Sequence, residues 1–538
     1  MDHGPTTAGF PTTGYPLAPV APSPEWTASD PSSPPAPAAP PATPPRPMPN
    51  PVRWLVQFGV LFFCLFLFVR TAALEPFGVP TGSMAEALIG NHRAGDCPRC
   101  GFPVRVGEPG PEARPVRFEA CACPNCGAAV DLSRAREVFG DRLMVDKTVY
   151  HARSPRRWEI AVFRCPADLS KPYVKRVIGL PGELIQISDG DIYAGGQLVR
   201  KTLAQVRETR VPVFDMSYPP QGGWALRWLD EPIGQAPKLP PTRPPAEEKT
   251  VDGSILRDNT LMLDATGKRG EIGLTYRHWN LDSRTQEPVS DYQGYNGGPA
   301  DRRGGFGRAR PDADTAVHDF VLEFDLEVRT GSGAFACRLG DGADTVRADF
   351  PVVSDGTDPG DATVYVAHDG PLAPVKAPGL VLRPGKTYRV TFALVDRRAS
   401  LAIDGREVVP PLDLPAGPPG KSVRRGVPRP AQLGARGVSV AVRDFKLYRD
   451  IHYLSPRASA GGWHLGANEY FMLGDNTSNS HDSRVWTIDN QPAPGVPEKD
   501  FIGKPFLIHQ PMRLGRIPIF GREYKVQTLD WSRLRWLR

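Results

Sequence analysis

One uninterrupted apolar run interrupts the pattern of this chain: WLVQFGVLFFCLFLFV, residues 54–69, bracketed by Arg53 and Arg70. It is apolar on every face, whereas a helix lying on a protein surface keeps a polar side. Its sixteen residues would rise about 24 Å as a helix, short of a bilayer core of roughly 30 Å. Extending the helix to Leu74, with Arg70 reaching back to the interface, makes up the difference. The pattern therefore predicts a transmembrane helix over 53–74; the alternative is a buried core helix.

Beyond the run the periodicity changes to that of strands. GDRLMVDKTVYHA (140–152), RRWEIAVFRCP (156–166) and KPYVKRVIGLPGELIQIS (171–188) alternate or bunch apolar and β-branched residues between turn signals. From about residue 200 the strands lengthen, as in HDFVLEFDLEVRTG (318–331), KTYRVTFALVDRRASLAIDGREV (386–408) and GVSVAVRDFKLYRD (437–450). Such alternation punctuated by tight turns suggests a β-sandwich of the jelly-roll kind. From about residue 455 the earlier character resumes, in GANEYFMLGDNTSNSHDSRVW (466–486) and FIGKPFLI (501–508). The expected fold class is mainly β: an antiparallel domain made of 75–200 and 455–528, split by an inserted sandwich at 201–454. The tail LDWSRLRWLR (529–538) alternates Trp and Leu with Arg, which suits a short interfacial helix on a bilayer or a solvated strand or helix end.

Composition agrees with this picture. The 61 prolines and 54 glycines argue against a helix-rich architecture. Residues 1–52, rich in Pro, Ala, Ser and Thr, bury too little apolar surface to offset their ordering entropy and are expected to be disordered. With the apolar run so deep in the chain, this tail does not read as a signal peptide. A net charge of +6, from 65 basic and 59 acidic residues, gives no case for nucleic acid as a partner. It allows a modest attraction to anionic lipid. The flanking charges leave the orientation of the helix open.

Four segments carry candidate chemistry. In PTGSM, Gly82 permits close backbone approach beside Ser83, and Thr81 adds a second hydroxyl; the bland reading is a plain loop. In YVKRVIGLPGE, Lys175 stands among Val174, Val177 and Ile178, where burial would disfavour its charged form; alone it reads as a surface lysine. To serve as a base near pH 7 it needs a fall of about 3 pH units, worth roughly 4 kcal/mol. GDNTSNSHDSR (474–484) reads as a tight polar loop in which Asp482 and Arg484 can pair and Ser480 can bond an amine. His481 reads as a solvated loop histidine, not a triad member. The cysteine-dense stretch 94–139 has CPRC and CPNC pairs with 22 residues between Cys100 and Cys123. Cys97, Cys100, Cys123 and Cys126 fit a structural zinc ribbon, with disulfides as the alternative and Cys121 left over.

Taken together, the apolar run, TAALEPFGVPTGSM, GDRLMVDKTVY, YVKRVIGLPGE and GDNTSNSHDSRVW resemble type I signal peptidases, the membrane-anchored Ser/Lys proteases that remove secretory signal peptides. The resemblance implies Ser83 as nucleophile and Lys175 as neutral general base, with no cofactor for catalysis. It further implies that Ser480 orients the lysine and that the Thr81 hydroxyl and Ser83 N–H form the oxyanion hole. Met84, Arg176, Gly474, Asp475, Asn476, Asp482 and Arg484 would support the site. It also implies signal-peptide-bearing preproteins as partners, delivered by the secretion translocon. The N-terminus would lie in the cytoplasm and the catalytic domain outside the cell membrane. Two features depart from the family: MAEALIG lacks the proline usual after Ser-Met, and both insertions are extra. The sandwich suggests a glycan or polypeptide ligand on pattern alone. A reading from another class is a membrane-anchored binding module with an inactive protease core; the presence of both Ser83 and Lys175 argues against it.

Overall fold

The computed structural model describes residues 51–107, 120–219, 227–231, 254–257, 259–280, 285–297, 315–421, 424–456, 461–519 and 522–537. Nearly all of the tail expected to be disordered lies outside them. The chain divides into two units, residues 1–63 and 64–538. The apolar run forms the helix Pro51–Phe68, 18 residues with none buried and long and apolar enough to cross a membrane. A π-helical turn, Val69–Ala73, ends it, and Leu74 opens the first strand.

Among the described residues of 64–538, strands make up most of the regular structure. One antiparallel sheet takes Leu74–Gly78, Arg142–Asp146, Phe501–Ile508, Ile160–Cys165, Asp168–Gly179, Glu469–Leu473 and Gly495–Pro497 in that spatial order. Strands from both ends of the body are thus hydrogen-bonded neighbours, which closes a long intervening segment into a loop of the sheet. The alternation of Leu143 and Val145 with more exposed positions points them into a core with Met84, Leu88, Ile160, Val162 and Ile508. The C-terminal segment resolves as a strand, not an interfacial helix: Arg535–Trp536 pairs with Leu507 and Ile508, and Leu537 joins that core.

Between these strands lies a 14-stranded antiparallel network running from Val211–Asp215 to Ala431–Arg449. Its two longest strands, Phe320–Gly340 and Ala431–Arg449, pair along most of their length and shift register at three points. Bulges of this kind bend and twist a strand so that it can wrap a core. Phe320, Phe324, Phe335, Phe350, Phe392 and Phe445 fill that core, each fully buried.

Buried ion pairs tie the start of the inserted region, Lys201, to its own far strands, and Arg424 joins that region to the rest of the body. Lys201 Nζ lies 3.0 Å from Asp396 and 2.7 Å from Asp450, and Arg424 reaches Asp189 at 2.9 Å and Asp191 at 2.8 Å. Such pairs add little net stability because desolvation offsets attraction, but breaking one strands a charge in the interior. Their geometry therefore fixes how the two regions sit.

Candidate active site

Lys175 enters the site from the inner end of the Asp168–Gly179 strand, where burial becomes continuous from Lys175 to Gly179. It pairs opposite Ala161 on one side, while the neighbouring Arg176 and Val177 meet Leu473 and Met472 on the other. With strands on both sides, the lysine is 3% exposed. Burial lowers its pKa from 10.5 to about 8, although Asp482 pulls in the opposite direction. Its Nζ donates to Ser480 Oγ at 3.0 Å. The direction agrees with the sequence pattern, and a fall to about 8 is smaller than a base at pH 7 requires.

Ser480 sits in the loop after the Glu469–Leu473 strand, and this loop is held from three directions. Arg176 donates Nε and Nη2 to the two Asp475 oxygens at 2.8 and 2.6 Å, and Nη1 to the Trp158 carbonyl at 2.7 Å. Arg484 donates to both oxygens of Asp482, each at 2.8 Å, and to the carbonyls of Thr477 and Leu454, each at 2.9 Å. Burial alone would raise the Asp482 carboxyl; Arg484, Lys175 and the Gly474 N–H override it and hold it below the usual carboxylate range. The third hold joins the loop to the serine turn: Asn476 N–H donates to Ser83 O at 3.1 Å, and its Nδ2 to Gly82 O at 2.9 Å.

Gly474 shows how tightly the two pieces meet. A Cβ at this position would overlap both Ser480 Oγ and the Ser83 carbonyl oxygen. The structure thus sets the Ser83 backbone and Ser480 Oγ both against Gly474, and Ser480 Oγ against Lys175 Nζ. The Ser83 turn is fixed by its own alternation. Met84 and Leu88, four residues apart, face the sheet core, while Ala85 and Ile89 face the other way. Asp141 caps its far end through Ile89 N–H at 2.8 Å and is itself bound by Arg533 at 2.7 Å. Among the described residues, the Thr81 hydroxyl and the Ser83 N–H have no hydrogen-bond partner. His481 lies outside this group, exposed, with its Nδ1 3.1 Å from Trp486 Nε1.

The Arg176–Asp475 pair carries a stability prediction, because both side chains are 1% exposed. Asp475→Ala leaves a buried guanidinium without its counter-ion, which costs about 3–5 kcal/mol. Urea unfolding of the detergent-solubilised chain reads this as a lower midpoint; an unchanged midpoint would contradict the buried pairing.

A family model described as "Signal peptidase, peptidase S26" matches residues 133–241 and 437–509. These two segments of the chain thus match the signal peptidase family. The matched segments contain Lys175, Arg176 and the 474–484 loop, and Ser83 precedes them. Signal peptidase I of Rickettsia massiliae is 31% identical over 143 residues, 27% of this chain and 43% of that protein. Signal peptidase I of Rickettsia prowazekii is 31% identical over 148 residues, 27% and 45% of the two chains. The chain thus spans less than half the length of these curated relatives. Among solved structures, the carbohydrate binding module CBM66 from Bacillus subtilis has a TM-score of 0.20 at 10% identity, covering 35% of this chain and 85% of that one. The alginate lyase from Klebsiella pneumoniae has a TM-score of 0.25 at 13% identity, covering 38% and 86%.

Outside the signal peptidase segments, the four cysteines of the paired motifs come together. Cys97 Sγ lies 3.6 Å from Cys126 Sγ, and Cys100 Sγ lies 3.7 Å from Cys123 Sγ. The edge of a tetrahedron with metal–sulfur bonds of about 2.3 Å is roughly 3.8 Å, whereas a disulfide bond is about 2.05 Å. All four are buried, so the cluster could hold one structural metal ion with no open position. Each knuckle closes on a glycine in the left-handed region, Gly101 (φ 74°) and Gly127 (φ 78°), whose N–H bonds back to Cys97 or Cys123. Cys121 is not part of the cluster, and burial raises its thiol to about 12.

Sequence reasoning missed two residues at the site. Tyr295 and Asn296, from the inserted region, touch the Ser83 turn and the 474–480 loop directly. Asn296 exchanges two hydrogen bonds of 2.6 Å with the Asn476 amide. Nothing in their periodicity marks them, since the contact joins two irregular loops.

Proposed function

We propose that this chain is a membrane-anchored serine endopeptidase that removes signal peptides from secreted preproteins after small residues. The observation that carries the reading is Lys175: buried at the end of a strand, its pKa near 8, and hydrogen-bonded to Ser480 where Gly474 brings Ser83 alongside. Neutral Lys175 takes the Ser83 hydroxyl proton as Oγ attacks the scissile carbonyl. The Thr81 hydroxyl and Ser83 N–H stabilise the oxyanion. Lys175 then returns the proton to the leaving amine, and water hydrolyses the acyl-enzyme by the same route. Ser480 orients the amine, while Arg176–Asp475 and Arg484–Asp482 brace the loop that carries it. The apolar helix anchors the chain with its N-terminus in the cytoplasm and the catalytic domain outside. Only eight residues, 70–77, separate the end of the apolar run from Gly78 and the serine segment, which suits a substrate cleaved as it emerges from the membrane. The Cys97, Cys100, Cys123 and Cys126 cluster takes zinc as a structural ion.

The test is cleavage of a preprotein carrying an Ala-x-Ala site by the detergent-solubilised chain, followed against pH. A base must be neutral to act, so kcat/KM rises with pH and levels off above about 8, the value set by Lys175. A rate that falls through this range would rule out lysine as the base. Metal analysis of the same sample is expected to give one zinc per chain.

A further inference from the structure

We propose that the segment Tyr292–Gly297 of the inserted region is a positioning strap that holds the Ser83 turn in its working geometry. The proposal rests on the reading of Ser83 and Lys175 as the dyad. The turn MAEALIG has two faces, and the sheet core covers only the one with Met84 and Leu88. The other face, Ala85 and Ile89, is covered by Tyr295, 1% exposed. The tyrosine ring lies where a Cβ on Gly82 or on Gly107 would stand, so both glycines make room for it. Its hydroxyl donates to the Asn91 carbonyl at 3.0 Å, just past the end of the turn.

Asn296 holds the second piece. Besides its paired amide bonds to Asn476, it donates to Ser478 Oγ at 2.9 Å and accepts from Asn479 Nδ2 at 3.3 Å. Asn476 is the residue whose N–H and Nδ2 bond the carbonyls of Ser83 and Gly82. A displacement of Asn296 therefore reaches the serine through a single residue.

The strap is itself rooted in rigid structure. Arg449, 2% exposed on the long Ala431–Arg449 strand, donates to the carbonyls of Asp291 at 2.9 Å and Tyr292 at 3.3 Å. On its other side the Tyr292 hydroxyl bonds both the N–H and the carbonyl of Ala122, at 2.9 and 3.0 Å, beside the cysteine knuckle. A loop held at its root by a packed sheet can fix a neighbouring turn more tightly than a free loop. The stretch that lacks the usual proline is also the stretch the strap covers.

The experiment compares the full detergent-solubilised chain with Asn296→Ala, which removes a half-buried amide and leaves both cores intact. Cleavage of the Ala-x-Ala preprotein and amide hydrogen exchange are measured on the same samples. The expected result is a fall in kcat of about tenfold with KM changed less than about twofold, the signature of a misplaced nucleophile. Exchange of amides in 82–89 and 474–480 is expected to speed up about fivefold or more, the loss of local protection reading directly on the loops. A kcat equal to that of the wild type overturns the strap, whatever the exchange shows. If the wild type itself cleaves nothing, the dyad reading falls, and exchange alone decides: unchanged protection in 82–89 overturns the strap, faster exchange supports it. Tyr295→Phe, which keeps the ring and loses the bond to Asn91, is expected to fall between the two.

Discussion

Ser83→Ala and Lys175→Met are each expected to abolish preprotein cleavage, with kcat lowered by at least about 10³-fold and toward 10⁶-fold if the pair acts as one unit. In the proposed mechanism the two substitutions act on one event, the transfer of the Ser83 proton to the Lys175 amine, so neither group works without the other. The double variant is accordingly expected to be no slower than the worse single variant. Folding is expected to survive both changes. Ser83→Ala removes one oxygen from a half-buried turn. Lys175→Met keeps the unbranched length of the side chain and relieves the cost of burying an amine at a position 3% exposed. The check is a cleavage time course with unfolding midpoints for all four proteins. Residual cleavage at the normal rate in either single variant would remove the dyad from the mechanism.

Gly474→Ala is expected to have the next largest effect, although it adds only a methyl group. Its Cβ would overlap Ser480 Oγ and the Ser83 carbonyl, and the backbone at 474 has little freedom to withdraw. The Gly474 N–H is bound to Asp482 at 3.1 Å, and the next two residues are fixed by Arg176 and by the Ser83 turn. The neighbours must therefore give way. Either Ser480 turns from Lys175 or the serine turn moves off. Misplacement on the scale of 1 Å costs about 10²-fold in kcat, and forcing a methyl into a packed site costs about 1–3 kcal/mol of stability. Kinetics on the folded fraction separate these two costs. A variant with full kcat would show that the approach of the two loops is looser than the structure has it.

Much of this site was legible in the sequence, for identifiable reasons. Ser83, Lys175 and Ser480 stand out only through the resemblance of their segments, in order, to signal peptidases, since each alone reads as a loop hydroxyl or a surface lysine; the paired C-x₂-C motifs carry their geometry in their spacing. The buried environment of Lys175 followed from Val174, Val177 and Ile178 around it. Tyr295 and Asn296 were not legible, because their contacts span 204 and 180 residues and depend on where an irregular loop lands. The tail 529–538 was ambiguous for another reason. Alternating Trp, Leu and Arg suits a helix at an interface or a strand, and only the free hydrogen-bonding edge near Leu507 decides for the strand. The bond from Arg535 to the Ala87 carbonyl at 3.0 Å, which ties that strand to the Ser83 turn, had no signal in the pattern.

The order of these residues along the chain has a consequence in time. Lys175 and Ser480, joined by one hydrogen bond, are 305 residues apart. A ribosome adding about 5–20 residues per second needs roughly 15–60 seconds to travel from one to the other. Throughout that interval the serine turn and the lysine strand have been made, but the loop that orients the amine has not. On the proposed mechanism no cleavage is expected of a nascent chain until the residues around Ser480 have been made.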